Sequence, residues 1–279
     1  MSKKHSHKST YYNDIALRLA NNLVGVKHLH YGFFSDGLEP TLENLPEAQE
    51  RYMQNLLSYV PEDVKKVFDV GCGTGEVAKQ LIKKGMNLTC MAPDPYLIEK
   101  TKENTEGKAK MITDLYENVD DEEADSFDMV LMSESCQYIK IQKGWEQNKK
   151  YLKKGGYVLI ADFFQKKSLD VEGLSKSGHK KENFLNAAKR NGFELVKEVD
   201  ITKETAPTMD IYQEVITKKV FPVAEAIFEV LQRKVPTIYK IVKRILGKRV
   251  EKLQSKYQTQ GAEIFQNYKG YYIFLFRKL

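Results

Sequence analysis

The sequence predicts an α/β fold in which helices cover both faces of a mostly parallel sheet. Three observations support this prediction. Short apolar runs alternate with helical segments from Pro61 to about Phe193, which is the order of a parallel sheet with crossover helices. The chain contains seven such runs, enough for a seven-stranded sheet. The first run, Val67–Val70, leads into a glycine-rich turn. A helical N-terminal region precedes the sheet, and a helical insertion precedes the last strand.

The glycine-rich turn is the first candidate binding site. Gly71, Gly73 and Gly75 follow a run that contains Asp69. Glycine permits a sharp turn from strand to helix, and it removes the side chains that would keep a ligand away from the backbone. A dinucleotide-binding fingerprint would need glycine at the position of Glu76, so an NAD-dependent enzyme is disfavoured.

Acidic and polar residues close the runs that follow. Asp94 lies 19 residues beyond Gly75, at the end of the second run, where a carboxylate can accept both ribose hydroxyls of an adenosine. Asp114 ends the third run, and it could also be a helix N-cap. The fourth run ends at Ser133, and the fifth follows the pair Gly155-Gly156.

These features, in this order, resemble the class I S-adenosylmethionine-dependent methyltransferases over roughly residues 60–200. The resemblance implies a Rossmann-like sheet, S-adenosyl-L-methionine as cofactor and S-adenosyl-L-homocysteine as product. It implies that the glycine turn holds the methionine portion and that Asp69 orients this turn or the amino group. It also places the ribose at Asp94, the adenine at Asp114 and Ser133 at a strand tip facing the cofactor.

An aromatic segment from His30 to Phe34 resembles the N-terminal lid of tocopherol, sterol and natural-product methyltransferases. Its aromatic residues could close over the acceptor, or they could simply anchor the N-terminal helices to the core.

After the fourth run, the Asn/Asp-Pro-Pro-Tyr motif of amino-group methylation is absent. The candidates for a general base are Glu134, His30, Tyr31 and Tyr138. Glu134 could alternatively stabilise a cation formed when an alkene carbon is methylated.

A basic amphipathic segment spans residues 219–256. It holds ten Lys/Arg against three Glu, an excess of seven that is larger than the formal charge of +6 of the whole chain. Aliphatic residues recur in it at helical spacing. The segment could bury its apolar face on the domain, lie on an anionic membrane as a peripheral contact, or bind nucleic acid. Nucleic acid is disfavoured as a partner, because the basic residues alternate with aliphatic rather than aromatic ones.

Composition limits the remaining possibilities. The chain of 279 residues is 42% hydrophobic, and it has no apolar run near the roughly 20 residues of a membrane span. The N-terminus is polar and shows no secretory leader. Cys72, Cys90 and Cys136 have no metal-ligand spacing, so we expect buried thiols in a reducing compartment and no metal. The predicted location is cytoplasmic, at the surface of a membrane if the basic segment faces lipid.

The predicted organisation has four parts. Residues 1–60 form a tail and lid helices, 61–202 the cofactor-binding core, 203–262 the basic helical insertion, and 263–279 the final strand. We expect methyl transfer to a hydrophobic small molecule that is lipid-, isoprenoid-, sterol- or quinone-like. The alternatives are a methyltransferase for RNA or protein that docks through residues 219–256, and a non-catalytic binding module with a methyltransferase-like fold.

Overall fold

The computed structural model describes residues 28–120, 122–167, 177–245, 247 and 261–279. Seven strands form one sheet: β1 (Lys66–Val70), β2 (Asn87–Met91), β3 (Lys110–Ile112), β4 (Phe127–Ser133), β5 (Leu152–Gln165), β6 (Phe193–Asp200) and β7 (Lys269–Lys278). The helices are α1 (Leu45–Leu57), α2 (Glu76–Lys83), α3 (Pro95–Asn104), α4 (Ile141–Tyr151), α5 (Lys181–Arg190), α6 (Thr202–Thr205), α7 (Pro207–Val215), α8 (Phe221–Lys234), α9 (236–245) and α10 (Ala262–Tyr268).

The strand order across the sheet is β3-β2-β1-β4-β5-β7-β6. The pairs from β3 to β5 are parallel, whereas β7 runs antiparallel to both β5 and β6. The predicted mostly parallel α/β sheet of seven strands is therefore confirmed. Because β1, β2 and β4 are parallel, their carboxyl ends meet at one edge, where ligands of such sheets bind.

Both faces of the central strands are buried, as expected when helices cover a parallel sheet on each side, whereas the edge strand β6 is largely exposed. Alternate residues of β4 belong to different cores: Met129 and Leu131 face one, and Val130 and Met132 face the other. The first core packs α1 and α2 against the sheet, and the second packs α4 and α5. Packing on both faces holds the central strands in place, and with them the strand ends that carry the site.

The structure adds detail at the two ends of the chain. The helical N-terminal region predicted for residues 1–60 contains α1, and residues 1–27 of that region lie outside the described residues. The insertion begins with α6 and continues through α9. Before the final strand lies a further helix, α10, inside the stretch that the sequence assigned to the strand alone.

Candidate functional site

The glycine turn between β1 and α2 is packed tightly on one side and open on the other. Gly71 has a φ of +81°, and a Cβ atom there would lie 2.3 Å from the Cβ of Ser135. Gly73 has a φ of +57°, but a Cβ atom there would meet nothing closer than a methyl group of Leu29 at 3.9 Å. Gly71 is therefore required for packing against the loop after β4, whereas Gly73 leaves open space beside the backbone. A ligand can approach the turn at Gly73.

Replacing Gly71 by alanine should lower the free energy of unfolding by more than the left-handed backbone alone explains. The strained φ costs roughly 1–3 kcal/mol, and the clash with Ser135 adds to it. Gly85 is a matched control, because its φ is +84° and nothing lies within 4 Å of its added Cβ. Urea denaturation of both variants checks this. Equal losses of stability would contradict the packing role of Gly71.

Two buried carboxylates face the same edge of the sheet with unpartnered oxygens. Asp69 is 2% exposed, and its Oδ2 has no hydrogen-bond partner. Burial raises the pKa of the Asp69 carboxyl to about 7. Asp94 is also buried; its Oδ1 accepts a hydrogen bond from Tyr96 N at 2.9 Å, while its Oδ2 has no partner. Since buried polar atoms are normally satisfied, these oxygens fit hydroxyl and amino donors of a ligand. The residues present thus fit the predicted cofactor.

The other two predicted cofactor residues have local partners. Asp114 is exposed, and its Oδ1 accepts hydrogen bonds from Leu115 N at 2.6 Å and Asn118 Nδ2 at 3.1 Å. These contacts hold the turn after β3, but the N-cap of that turn is Leu115, so Asp114 does not take the helix-capping position. Its contact with adenine stays a prediction. Ser133 lies at the tip of β4, and its hydroxyl is 3.2 Å from the hydroxyl of Tyr52.

The lid, residues 28–34, is held over this edge by hydrogen bonds of its backbone. Gly32 N donates to Thr208 Oγ1 at 3.0 Å, and Phe33 N donates to Ala48 O at 2.8 Å. Gln49 Nε2 donates to His30 O at 2.6 Å from α1. The lid is thus fastened to both α1 and α7, so the first helix of the core and the first part of the insertion together determine its position.

Glu134 lies immediately after β4 and joins the lid to the sheet. Its Oε1 accepts hydrogen bonds from Tyr31 N and from the Tyr271 hydroxyl, each at 2.7 Å. Its φ of +53° is in the left-handed region, which is rare for residues other than glycine and is often found at functional sites. Burial raises the pKa of the Glu134 carboxyl to about 8, although the Tyr271 and Tyr31 donors oppose this.

A chain of hydroxyl groups extends from Glu134 to the strand tip. The Tyr52 and Tyr271 hydroxyl oxygens are 2.8 Å apart. The single hydrogen of the Tyr271 hydroxyl forms the hydrogen bond to Glu134. The Tyr52 hydroxyl must therefore donate the hydrogen bond to Tyr271, and the Ser133 hydroxyl donates the one to Tyr52. Burial raises the pKa of both tyrosines well above the usual value, so their hydroxyls stay protonated. The sequence did not identify Tyr52 or Tyr271, which lie 219 positions apart.

His30 is placed beside this network, but it is a poor proton acceptor there. Its ring stacks on Tyr52 with a centroid distance of 4.2 Å, and its Nδ1 lies 2.9 Å from Tyr31 O. Since a carbonyl only accepts, Nδ1 carries the proton. Burial lowers the pKa of His30 to about 3, with a further contribution from His28. Near neutral pH the imidazole is neutral and has little tendency to take up a proton, whereas Glu134 takes one up readily once it is ionised.

The side chain of Tyr31 lies in an aromatic cluster, defined here as Tyr31, Phe163, Tyr212, Phe265 and Tyr271. The centroids of the other four rings lie 5.5 to 6.4 Å from that of Tyr31. Its hydroxyl donates to the sulfur of Met209 at 3.1 Å. Tyr31 therefore contacts Glu134 through its backbone, and its ring occupies a mainly apolar space beside that carboxyl. The five rings belong to the lid, β5, α7, α10 and β7, and only the last two of these are neighbours in the sequence. No local pattern in the sequence could therefore group them.

Asp162, on β5, is a second acidic residue whose role the sequence did not predict. It is fully buried and accepts hydrogen bonds from Cys136 Sγ at 3.2 Å, Gln137 N at 3.1 Å and Phe163 N at 2.8 Å. Burial raises the pKa of its carboxyl to about 6 and that of the Cys136 thiol well above its usual value. These contacts fix the loop that carries Glu134. All three cysteines are buried free thiols, as predicted.

The described residues contain no group of three or more His, Cys, Asp or Glu side chains arranged to hold a metal ion. The site consists of the open glycine turn, Asp69 and Asp94 with their unpartnered oxygens, the Glu134 carboxyl and the aromatic cluster under the lid.

Comparisons with known proteins agree with this fold. Residues 68–160 match the methyltransferase domain family. Methyltransferase GfsG of Streptomyces halstedii is 28% identical over 204 residues, which are 65% of this chain and 71% of that protein. In structure, the cyclase SpnF matches with a TM-score of 0.72 and 16% identity, covering 98% of this chain and 96% of that one. The geranyl diphosphate C-methyltransferase of Streptomyces coelicolor, solved with Mg²⁺, geranyl diphosphate and S-adenosyl-L-homocysteine, has a TM-score of 0.66 and 13% identity, covering 98% of this chain and 100% of that one.

Proposed function

We propose that this chain is an S-adenosylmethionine-dependent methyltransferase and that its acceptor is a hydrophobic small molecule, lipid-, isoprenoid-, sterol- or quinone-like, bound beneath the lid. The observation that carries the proposal is the aromatic cluster beside Glu134. Its rings offer a mainly apolar surface next to one carboxyl group that can take up a proton. Pockets for small hydrophobic ligands have this composition, mostly apolar with a few placed polar groups.

Opening of the lid would create the space for the acceptor. In the structure the ring of Tyr31 fills the centre of the aromatic cluster, 5.8 Å from Phe265 and 6.2 Å from Phe163. An apolar acceptor could take its place among the same rings if the lid moved outward. Lids of this kind exclude water when they close again over the bound molecules. The geranyl diphosphate C-methyltransferase, whose fold this chain shares, was solved with an isoprenoid bound, and this supports an acceptor of that class.

The residues divide the work between binding and proton transfer. When bound, S-adenosyl-L-methionine supplies an activated methyl group on a sulfonium. Asp94 would hold the ribose, Asp69 the amino group, the backbone at Gly71–Gly75 the methionine portion, and Asp114 the adenine. Alignment of acceptor and donor contributes most of the acceleration, on the order of 7–11 kcal/mol. The Glu134 carboxylate accepts the proton that the acceptor loses when it gains the methyl group, or faces the cation if an alkene carbon is methylated.

Other functions of this fold have to be considered, because folds do not determine activity. SpnF, a cyclase, has the same fold. A non-catalytic binding module would have no need for a buried base beside the open glycine turn. A methyltransferase for RNA or protein would need an open site, but the rings that surround Tyr31 are covered by the lid. These arguments favour the small-molecule acceptor.

Transfer of radiolabelled methyl groups to a panel of acceptors tests the proposal. We expect label in the organic extract when isoprenoid, sterol or quinone acceptors are supplied. Label found in RNA or protein alone, or none in any fraction despite cofactor binding, would contradict it.

Replacing Tyr31 by alanine should raise the KM for the acceptor about tenfold, the effect of a lost contact of roughly 1.4 kcal/mol. Tyr157, which pairs with Met129 near the start of β4 and away from the site, is the matched control, and its alanine variant should keep the wild-type KM.

A further inference from the structure

Helices α8 and α9 expose aliphatic residues in regular rows. In α8, Val223, Ile227 and Val230 are 62%, 56% and 60% exposed, and their spacing of four and three residues places them on one side of the helix. In α9, Ile238, Ile241 and Ile245 are 51%, 55% and 62% exposed with the same kind of spacing. We call these six residues the aliphatic rows. The sequence left open whether this apolar face packs on the domain, and in the structure these six side chains do not.

The two helices contact each other through an aromatic pair. The rings of Phe228 and Tyr239 are 6.5 Å apart, while Phe221, at the start of α8, is its buried residue. Scattered exposed aliphatic residues are normal on a protein surface, but six in two ordered rows form a patch of the kind that marks an interaction site.

Positive charge surrounds the aliphatic rows. From residue 219 to 245 the chain carries six Lys/Arg and two Glu. Lys219 lies four residues before Val223, and Lys234 lies four residues after Val230, so a cation lies near each end of the row on α8. Both lysines are exposed. A partner that fits this surface must offer an apolar region to the aliphatic rows and negative charge to the lysines beside them.

We propose that α8 and α9 dock on the surface of an anionic membrane. The aliphatic rows enter the boundary between headgroups and acyl chains, and Lys219, Lys234 and the other cations contact anionic headgroups. Long lysine and arginine side chains can reach the headgroups while their stems stay in apolar surroundings. No helix that the structure describes is long and apolar enough to cross a membrane, so docking at the surface is the form of contact that these helices allow.

Two other partners match the surface less well. A symmetric pair formed by a second copy of this chain would bring the same cations face to face, which disfavours it. Nucleic acid would use the cations but would leave the six aliphatic residues without a partner. The membrane uses both features of the surface.

The docking surface is connected directly to the lid. Helix α7 continues into α8 through a π-helical turn, Ile216–Val220, and such turns are frequent at functional sites. At its other end α7 carries Thr208 and Met209, which contact the lid at Gly32 and Tyr31. An acceptor dissolved in the bilayer would therefore be near the lid of a docked enzyme. This last step rests on the proposed function, whereas the docking itself does not.

Co-sedimentation with vesicles tests the docking. We expect the full-length protein to pellet with vesicles of phosphatidylglycerol and phosphatidylcholine and much less with phosphatidylcholine alone. Removing both charges in Lys219→Ala/Lys234→Ala should weaken binding to the anionic vesicles by about fivefold per charge. Ile227→Asp/Ile241→Asp should weaken it at least as much. Val196→Asp is the matched control, because Val196 is 52% exposed on β6, outside this surface, and it should pellet as the wild type does.

Several results would overturn the proposal. One is an absence of pelleting with anionic vesicles, and another is equal pelleting of the wild type and the Ile227→Asp/Ile241→Asp variant. A concentration-dependent dimer that this variant abolishes, without vesicle binding by the wild type, would assign the surface to a second copy instead. Calorimetric titration with S-adenosyl-L-methionine separates the docking hypothesis from the proposed methyltransferase function, since all variants should bind the cofactor normally even if docking fails.

Discussion

Replacing Asp94 by alanine is expected to weaken the affinity for S-adenosyl-L-methionine by about two to four orders of magnitude. Hydrogen bonds to a charged group contribute about 1.5–3 kcal/mol each, and the carboxylate would accept two from the ribose. The Oδ2 atom of Asp94 is buried without a partner in the structure, which is the arrangement expected for an atom that a ligand completes. Isothermal titration calorimetry with the cofactor and with S-adenosyl-L-homocysteine measures the loss.

Asp94 also caps α3, so its variants need controls for stability. Its Oδ1 accepts the hydrogen bond of Tyr96 N at the start of the helix, and loss of such a cap costs about 1 kcal/mol. Asp94→Asn keeps a capping oxygen and removes the charge, so it should weaken cofactor binding while largely preserving the melting temperature. Asp114→Ala, at an exposed carboxylate, should cost about tenfold or less. Wild-type affinity in Asp94→Ala would remove the ribose assignment.

Replacing Glu134 by glutamine is expected to reduce kcat by about 10²- to 10⁴-fold, the contribution of a positioned general base. Glutamine keeps the shape and can still accept hydrogen bonds from Tyr31 N and the Tyr271 hydroxyl, so the lid should remain in place. Cofactor affinity should change little. Steady-state kinetics with calorimetry in parallel distinguish loss of the base from loss of binding. An unchanged kcat would exclude Glu134 as the base and would favour pure alignment of acceptor and donor.

The pH dependence offers a second measurement on the same residue. Burial raises the pKa of Glu134 to about 8, so kcat/KM of the wild type should rise with pH through that value as the base ionises. The hydrogen bond from Tyr271 lowers this pKa, and its removal in Tyr271→Phe should move the rise to higher pH. A profile that does not move would argue against the role of Tyr271 in positioning and tuning Glu134.

Stability should change with pH in the opposite sense. A carboxyl whose pKa rises from 4.5 to about 8 on folding keeps its proton in the folded state, while the unfolded chain releases it. The free energy of unfolding therefore falls as the pH rises from about 4.5 to 8. Asp69, Asp162 and His30 also have shifted pKa values. These residues are the same in the wild type and in the Glu134→Gln variant, so their contributions to the pH dependence cancel when the two proteins are compared. Glu134→Gln should thus gain stability relative to the wild type between pH 5 and 8, as denaturation at several pH values would show.

Local patterns in the sequence were sufficient to predict the sheet and the cofactor edge. Apolar runs and the glycine spacing determine where strands end, and the carboxyl ends of parallel strands meet at one edge. Asp69 and Asp94 could therefore be placed from sequence alone, and the structure leaves each with a buried, unpartnered oxygen. At Asp114 two interpretations were open: the structure gives its carboxylate local partners without making it the helix N-cap, and the contact with adenine stays a prediction.

The acceptor side could not be predicted to the same extent, because it is assembled from distant elements. Glu134 and Tyr271 are 137 positions apart, and no local pattern links them. Burial is equally hidden in the sequence: His30 was a reasonable base until the structure placed it inside the protein, where the neutral form is favoured. The left-handed backbone of Glu134 likewise arises from tertiary contacts rather than from its residue type.

The position of β7 has a consequence for how the protein is made. This strand is the last of the seven in the chain, yet it lies between β5 and β6 and supplies Tyr271 to the carboxyl group of Glu134. A ribosome-bound chain that has not reached residue 269 carries two unpaired strand edges, which are prone to aggregation. It also lacks the hydroxyl that holds Glu134. Full activity can therefore appear only after synthesis has passed the last strand, and translation arrested before it should yield an inactive chain that depends on chaperones.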